Sequence, residues 1–335
     1  MARCAEKWNW QLRDRPDGFP GTFGDYTNDI YLTGKVAVLS QCTRNQYASL
    51  LRLHVIPFIG KLPLREIRPL DCLQIIEMNK PHCAQGTLCS IRNAASGVFT
   101  DAVCRGYLAT NPIQLIHVQP SRRPKKVQFT PLVDQAVTLR KVLEHPCYEM
   151  ITLSCCTSIH YGELTALRWR FVNLTGQTVR FMDPDDGDVR LEPYTARVRK
   201  SYYRGEYGDC KNQGRHRTAV LPTQVVAALS ALRECSQFGG PDDLVFCDDG
   251  KPLDEDSTRR ELVAGCEKAG VPRLGFHSFR RYFATQAKAK KMDPDDIRRA
   301  MGRAGGMTYQ YTAEDLDRRR PFVQAIADDL FEEAK

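Results

Sequence analysis

His277 and Arg280 stand three residues apart in the stretch His277-Ser278-Phe279-Arg280-Arg281-Tyr282-Phe283-Ala284-Thr285. With Phe279, Tyr282 and Phe283 turned to a core, the two share the neighbouring edge of one helical turn. Such an edge suits a phosphate, because a guanidinium grips two oxygens at once and an imidazole adds a donor or a proton acceptor. Taken alone, a spacing this short reads more readily as a helix-start histidine and a solvated arginine.

Other stretches support the chemistry. Downstream lies Met301-Gly302-Arg303-Ala304-Gly305-Gly306-Met307-Thr308-Tyr309-Gln310-Tyr311-Thr312. Upstream lies Thr157-Ser158-Ile159-His160-Tyr161-Gly162-Glu163-Leu164-Thr165-Ala166-Leu167-Arg168-Trp169. Between them, residues 209–222 carry Lys211, Arg215, His216 and Arg217 and read as strand, turn, strand. The order is a G-E-L-T-A-L-R-W helix, a basic hairpin, H-x-x-R, then a glycine turn running to a tyrosine. That ordered set resembles the catalytic domain of the tyrosine recombinases, the phage-integrase family. Residues 43–112 are similar to the same family's core-binding domain: "T-R-x-x-Y" from Thr43, "P-x-x-G-K-x-x-L-x-x-I" from Pro57 and "G-x-L-x-x-N-P" from Gly106.

The resemblance implies a mechanism. A phenol with a pKa of about 10 attacks a phosphodiester only where cations stabilise the phenolate and the charge at pentacoordinate phosphorus. The resulting 3′-phosphotyrosine stores the bond energy, so religation requires neither ATP nor metal. On this pattern Tyr311 is the nucleophile and Tyr309 its competitor, Tyr311 standing one residue closer to Gly302 than the family's usual spacing. Arg280 and His277 hold the phosphate, and Lys211 on the hairpin protonates the leaving 5′-oxygen. Two positions depart from the pattern. His160 stands where the family's T-G-x-R-x-x-E-L has its first arginine, and Arg303 where it has a second histidine. Imidazole lacks arginine's bidentate fork and is mostly neutral near pH 7. Losing one preorganised donor costs about 10²–10³ in rate, so the site is expected to be slow, pH-sensitive or dead. Glu163 is expected to buttress the helix bearing His160 to Leu167.

The 335 residues are enough for two domains with sizeable cores. The expected fold is mainly α with a small β-sheet or hairpin (α+β). A short arm covers residues 1–22, a helical core-binding domain 23–119, a basic linker 120–130, and a catalytic domain 131–335 with a tail helix at 321–334. The resemblance makes the two domains a clamp round DNA. The net charge of +8 sits in residues 1–130, which hold 17 Lys+Arg against 9 Asp+Glu, whereas residues 131–335 hold 31 of each. A basic first part fits a polyanionic partner through counterion release. The expected DNA contacts are Arg44, Arg52, Arg92 and Arg105 on helical polar faces, Arg122, Arg123, Lys125 and Lys126 in the linker, and Arg215 and Arg217 in the hairpin.

Apolar periodicity predicts helices near 44–55 (Tyr47, Leu50, Leu51 and Val55 on one face), 69–79, 84–106 and 131–143. The stripe Phe322, Val323, Ile326, Leu330 and Phe331 predicts a terminal helix that packs on its own domain or on a neighbouring protomer. The acidic run Asp183–Asp188 lacks the glycine and the twelfth-position ligand of a calcium loop and reads as a turn. The 13 cysteines follow no zinc spacing and read as small buried hydrophobes. No cofactor, metal or disulfide is expected.

The implied partners are double-stranded DNA at attachment or core sites, further copies of the chain in a tetramer, and an accessory DNA-bending protein. No apolar run approaches the roughly 20 residues of a membrane span, and the N-terminus lacks a signal-peptide core, so a cytoplasmic, nucleoid-associated protein is expected. The function implied is site-specific recombination through a phosphotyrosine and a Holliday junction. Two alternatives are a degenerate recombinase that binds DNA without cutting it, and a type IB topoisomerase, against which the separate helical domain argues.

Overall fold

In a computed structural model of the chain, residues 21–119, 129–209, 216–303 and 315–332 are described. They divide into two compact units, one before and one after residue 126, and each buries its own core.

The first unit is helical. Thr22 and Asp25 cap each other across a single turn, α1 (Phe23–Asp25), which runs on as a π-helical stretch, Tyr26–Lys35. Then follow α2 (Gln41–His54), α3 (Ile56–Ile59), α4 (Pro69–Asn79) and α5 (Gln85–Cys104). Pro57 lies in the first turn of α3, where a missing N–H costs nothing, so it starts a new helix just past the end of α2. The face predicted for α2 is the one turned inward: Leu51 and Val55 are fully buried, with Tyr47 and Leu50 packed at the margin. On α5, Leu88, Ile91, Ala95, Val98 and Phe99 are buried as their spacing requires. Gly24 and Gly60 let two backbones meet: the Gly24 N–H reaches the Gly60 carbonyl at 2.9 Å, and a Cβ on Gly24 would lie 3.0 Å from that oxygen.

The second unit mixes helices with small antiparallel sheets. It contains α6 (Val133–Val142), α7 (Cys147–Thr157) and α8 (Tyr161–Leu164), then β1 (Val172–Asn173), β2 (Val179–Asp183), β3 (Gly187–Leu191), β4 (Thr195–Val198), β5 (Lys200–Tyr203), β6 (Glu206–Asp209) and β7 (Arg217–Val220). After them come α9 (Thr223–Cys235), β8 (Cys247–Asp248), β9 (Lys251–Pro252), α10 (Glu255–Lys268), α11 (Phe276–Ala289), α12 (Pro294–Ala300) and α13 (Leu316–Phe331). The largest sheet has the order β1-β4-β7.

Three expectations change. First, no continuous helix bears His160 to Leu167. The helix α7 ends at Thr157, Ser158 turns left-handed at φ 64°, and His160 caps the separate turn α8. Second, the basic segment 209–222 is not one hairpin, because its two arms have different partners. β6 pairs with β5 around the turn Arg204-Gly205, whereas β7 pairs with β4. Third, the cysteines are not uniformly buried: Cys72, Cys147, Cys155, Cys156 and Cys266 are, but Cys104 and Cys235 are exposed.

The tail helix α13 packs on its own unit. Val323, Ile326, Ala327 and Leu330 join the core that holds Phe279, Tyr282 and Phe283. The acidic run 183–188 is a turn, with the Asp183 carboxylate accepting the N–H groups of Asp185 and Asp186. Among the described residues no helix is long and apolar enough to cross a membrane, and no group of three or more His, Cys, Asp or Glu is placed to hold a metal ion.

Candidate active site

Helix α11 carries both His277 and Arg280. Phe279, Tyr282 and Phe283 are fully buried, which fixes the helix's rotation and leaves His277 exposed and Arg280 half-buried on the predicted edge. His277 lies in the first turn, whose outward N–H groups and positive dipole end favour an anion.

Two segments converge on this edge. From the α7–α8 turn, the Ser158 carbonyl accepts Arg280 Nη1 at 3.0 Å. From the glycine turn after α12, the Met301 carbonyl accepts Arg280 Nη2. The two acceptors come from separate segments and hold the guanidinium from two directions, which sets where it points. The imidazole of His160 reaches the same place: its Nε2 lies 3.3 Å from Nε2 of His277, with ring centroids 4.5 Å apart. A hydrogen bond between two Nε2 atoms requires one ring to carry its proton there and the other to present a lone pair. The His277 pKa lies below the ordinary histidine value, because lost hydration disfavours the imidazolium and Arg280 and Arg281 repel it. The ring is therefore neutral at pH 7.

Behind the histidines lies a buried ion pair. Glu163 and Arg217 are each 5% exposed. The Arg217 fork is bidentate, Nη1 to Oε1 at 3.0 Å and Nη2 to Oε2 at 2.7 Å. Glu163 Oε2 also accepts the His160 N–H at 2.9 Å. Burial acts to raise the Glu163 carboxyl, but Arg217 and that N–H outweigh it, and the pKa ends below the usual carboxylate value. Glu163 thus buttresses the His160 turn, as its sequence position suggested. Arg217 requires a correction: it is no surface cation for DNA, because its strand turns it inward to neutralise Glu163.

The other expected DNA contacts divide. Arg52 is exposed on α2. Arg92 donates to the carbonyls of Gln114 at 2.8 Å and Ile116 at 3.1 Å, tying down the chain after α5. Arg44 donates to the carbonyls of Ala37 and Leu39, both at 3.1 Å. Arg105 pairs with Asp101 at 2.8 Å, and Asp101 also accepts the Tyr26 hydroxyl. Where β4 gives way to β5, Arg199 and Lys200 pair with Asp186 and Asp185 of the acidic turn. Arg303 is exposed, directly after Gly302 at φ 59°. Tyr311, Tyr309, Lys211, Arg215, Arg122, Arg123, Lys125 and Lys126 lie outside the described residues.

The sequence reading missed Ser158, whose carbonyl is shared by Arg280 and, at 3.3 Å, by Arg217 Nη2. A signal existed. Ser158 occupies the glycine position of T-G-x-R, and glycine is the residue that takes positive φ without strain.

Comparison with known proteins agrees with this architecture. A lambda integrase tetramer bound to a Holliday junction superposes with a TM-score of 0.62 at 14% identity, covering 96% of this chain and 81% of that one. A Tn1549 transposon integrase in complex with a circular intermediate DNA gives 0.65 at 18% identity, covering 91% and 99%. These likenesses establish a shared fold. In sequence, residues 131–318 match the phage integrase family and residues 22–78 its N-terminal SAM-like domain, and the chain belongs to that family of tyrosine recombinases. A prophage phiRv2 integrase of Mycobacterium tuberculosis is 23% identical over 318 residues, spanning 91% of this chain and 77% of its relative.

Proposed function

We propose that the chain cuts and rejoins DNA strands at specific sites, with Arg280, His277 and His160 around the scissile phosphate. The observation that carries this reading is the convergence of these three side chains on one edge of α11. Tyr311 attacks phosphorus, the 5′-oxygen leaves with a proton from Lys211, and a 3′-phosphotyrosine remains. Arg303 follows the glycine turn that also presents the Met301 carbonyl, and it supplies a cation there. The neutral His277 accepts the phenol's proton or donates to a phosphate oxygen. His160 replaces a permanent guanidinium by a group without a fork, so transition-state stabilisation rests more heavily on Arg280.

The first unit, residues 23–119, and the basic stretch 120–130 hold the duplex, with Arg52 as a phosphate contact. Four copies act on two duplexes through a Holliday junction, with an accessory bending protein, in the cytoplasm. The lambda integrase tetramer on a Holliday junction supports the four-copy arrangement, and the Tn1549 integrase in complex with DNA supports the duplex partner.

The test is covalent trapping. Protein is mixed with nicked duplexes from DNA flanking its own gene, across about pH 5.5–8.5 to span histidine titration, and run on a denaturing gel. A slow band abolished by Tyr311→Phe and spared by Tyr309→Phe is expected. A gel shift without a covalent band at any pH would overturn catalysis in favour of a DNA-binding protein that no longer cuts.

A further inference from the structure

We infer that Arg217 is a positioning residue that sets the direction of Arg280. The inference rests on the reading that Arg280 grips the scissile phosphate. Arg217 is buried in the second unit. It grips Glu163 at 2.7 and 3.0 Å and donates at 3.3 Å to the Ser158 carbonyl. That same carbonyl accepts Arg280 Nη1 at 3.0 Å. One buried oxygen is therefore shared by two guanidiniums, one sealed in the core and one half open to the site.

Two like charges meeting at one carbonyl repel unless a carboxylate offsets them. Glu163 provides that offset, since both Arg217 and Arg280 hold its carboxyl in the ionised form. Ser158 is held left-handed at φ 64°, a backbone state that persists only when its surroundings over-determine it. Arg217 supplies part of that determination from strand β7, whose register against β4 pairs it with Val198. The same ion pair holds the His160 N–H through Glu163. Arg217 thus acts on both His160 and Arg280, from the sheet and by way of backbone.

The result is a division of labour. The site's cation is aimed by two carbonyls, and one of those carbonyls is in turn aimed by a second, buried cation. Lysine at 217 retains the charge opposite Glu163 but cannot span both Glu163 oxygens and the Ser158 carbonyl.

The experiment uses three full-length proteins: wild type, Arg217→Lys, and the charge-free pair Glu163→Leu with Arg217→Met. The pair is included because removing both partners of a buried ion pair is tolerated far better than removing one. Side-chain nitrogen NMR measures rotation of the Arg280 guanidinium, assigned with Arg280→Lys. Single-turnover trapping on a nicked site and DNA affinity are measured alongside. Arg280 rotation is expected to be slow in wild type and fast in both variants, with DNA affinity within about twofold. Covalent product formation is expected to fall about ten- to a hundredfold, as for a misplaced catalytic group. Rotation as slow in both variants as in wild type would overturn the inference, whether or not wild type forms a covalent product. Absence of that product from wild type would instead count against the recombinase reading.

Discussion

In the first unit Arg92 and Arg44 are bound to carbonyls that the chain leaves behind at its own bends. In the second, Arg280 is also bound to two carbonyls, yet these come from two separate segments and aim the group at an open edge. The same chemistry serves two ends. Where both acceptors belong to one short segment, as for Arg44 and Arg92, an arginine closes the fold. Where they belong to segments that meet only in the folded unit, it becomes a tool of the site. Location on a polar helical face does not distinguish the cases; the origin of the acceptors does.

The comparison is most directly broken at Arg217. Arg217→Met alone should destabilise the second unit by about 3–5 kcal/mol, because Glu163 is left buried and charged, and urea unfolding measures it. A loss below about 1 kcal/mol would mean that the ion pair is open to water. Next comes Arg280→Ala, which should lower covalent product by about 10²–10³ and leave DNA affinity within a few-fold. An equal fall in affinity would make Arg280 a simple DNA contact.

Arg92→Ala should cost about 1.5–3 kcal/mol of stability, the value of hydrogen bonds made by a charged group, and leave the salt dependence of DNA binding unchanged. Arg52→Ala should do the opposite, sparing the melting temperature and lowering the salt slope by about one. Reversal of that pattern would collapse the distinction between fold-closing and ligand-facing arginines.

A smaller effect concerns pH. The His277 pKa is depressed, so the ring loses its proton below the ordinary value of about 6.5. If neutral His277 is the working form, the cleavage rate should rise as pH increases through that depressed value and level off above it. His277→Gln should remove the slope. The smallest effect is expected at Ser158. Replacement by glycine removes left-handed strain of about 1–2 kcal/mol and adds unfolded-chain freedom of about 0.5–1 kcal/mol, for a small net gain in thermal stability.

The sequence made legible whatever repeats with a short period. The inward face of α2, the buried set on α5, the core side of α11 and the apolar stripe of α13 all follow from spacing within one helix. The edge shared by His277 and Arg280 was legible for the same reason. Contacts between distant segments were not. Residues 209–222 have the composition of a hairpin, and nothing local reveals that β6 and β7 face different strands. Arg217 reads as one more cation in a basic run, and only its register opposite Val198 carries it inward. The end of α7 was signalled only by the glycine position of a motif in which this chain has Ser158.

Lys200 faces Asp209 and Val198 faces Arg217 in the ladders, so one residue, Arg199, spans on one side what residues 210–216 span on the other. The cost of joining two fixed points by a chain grows only as the logarithm of its length, about 0.6 kcal/mol per doubling, so insertions between Asp209 and Arg217 should leave the β4–β7 and β5–β6 registers intact. The length of sequence around Lys211 can then drift, or be engineered, without disturbing the paired strands on either side of it, provided the lysine is kept.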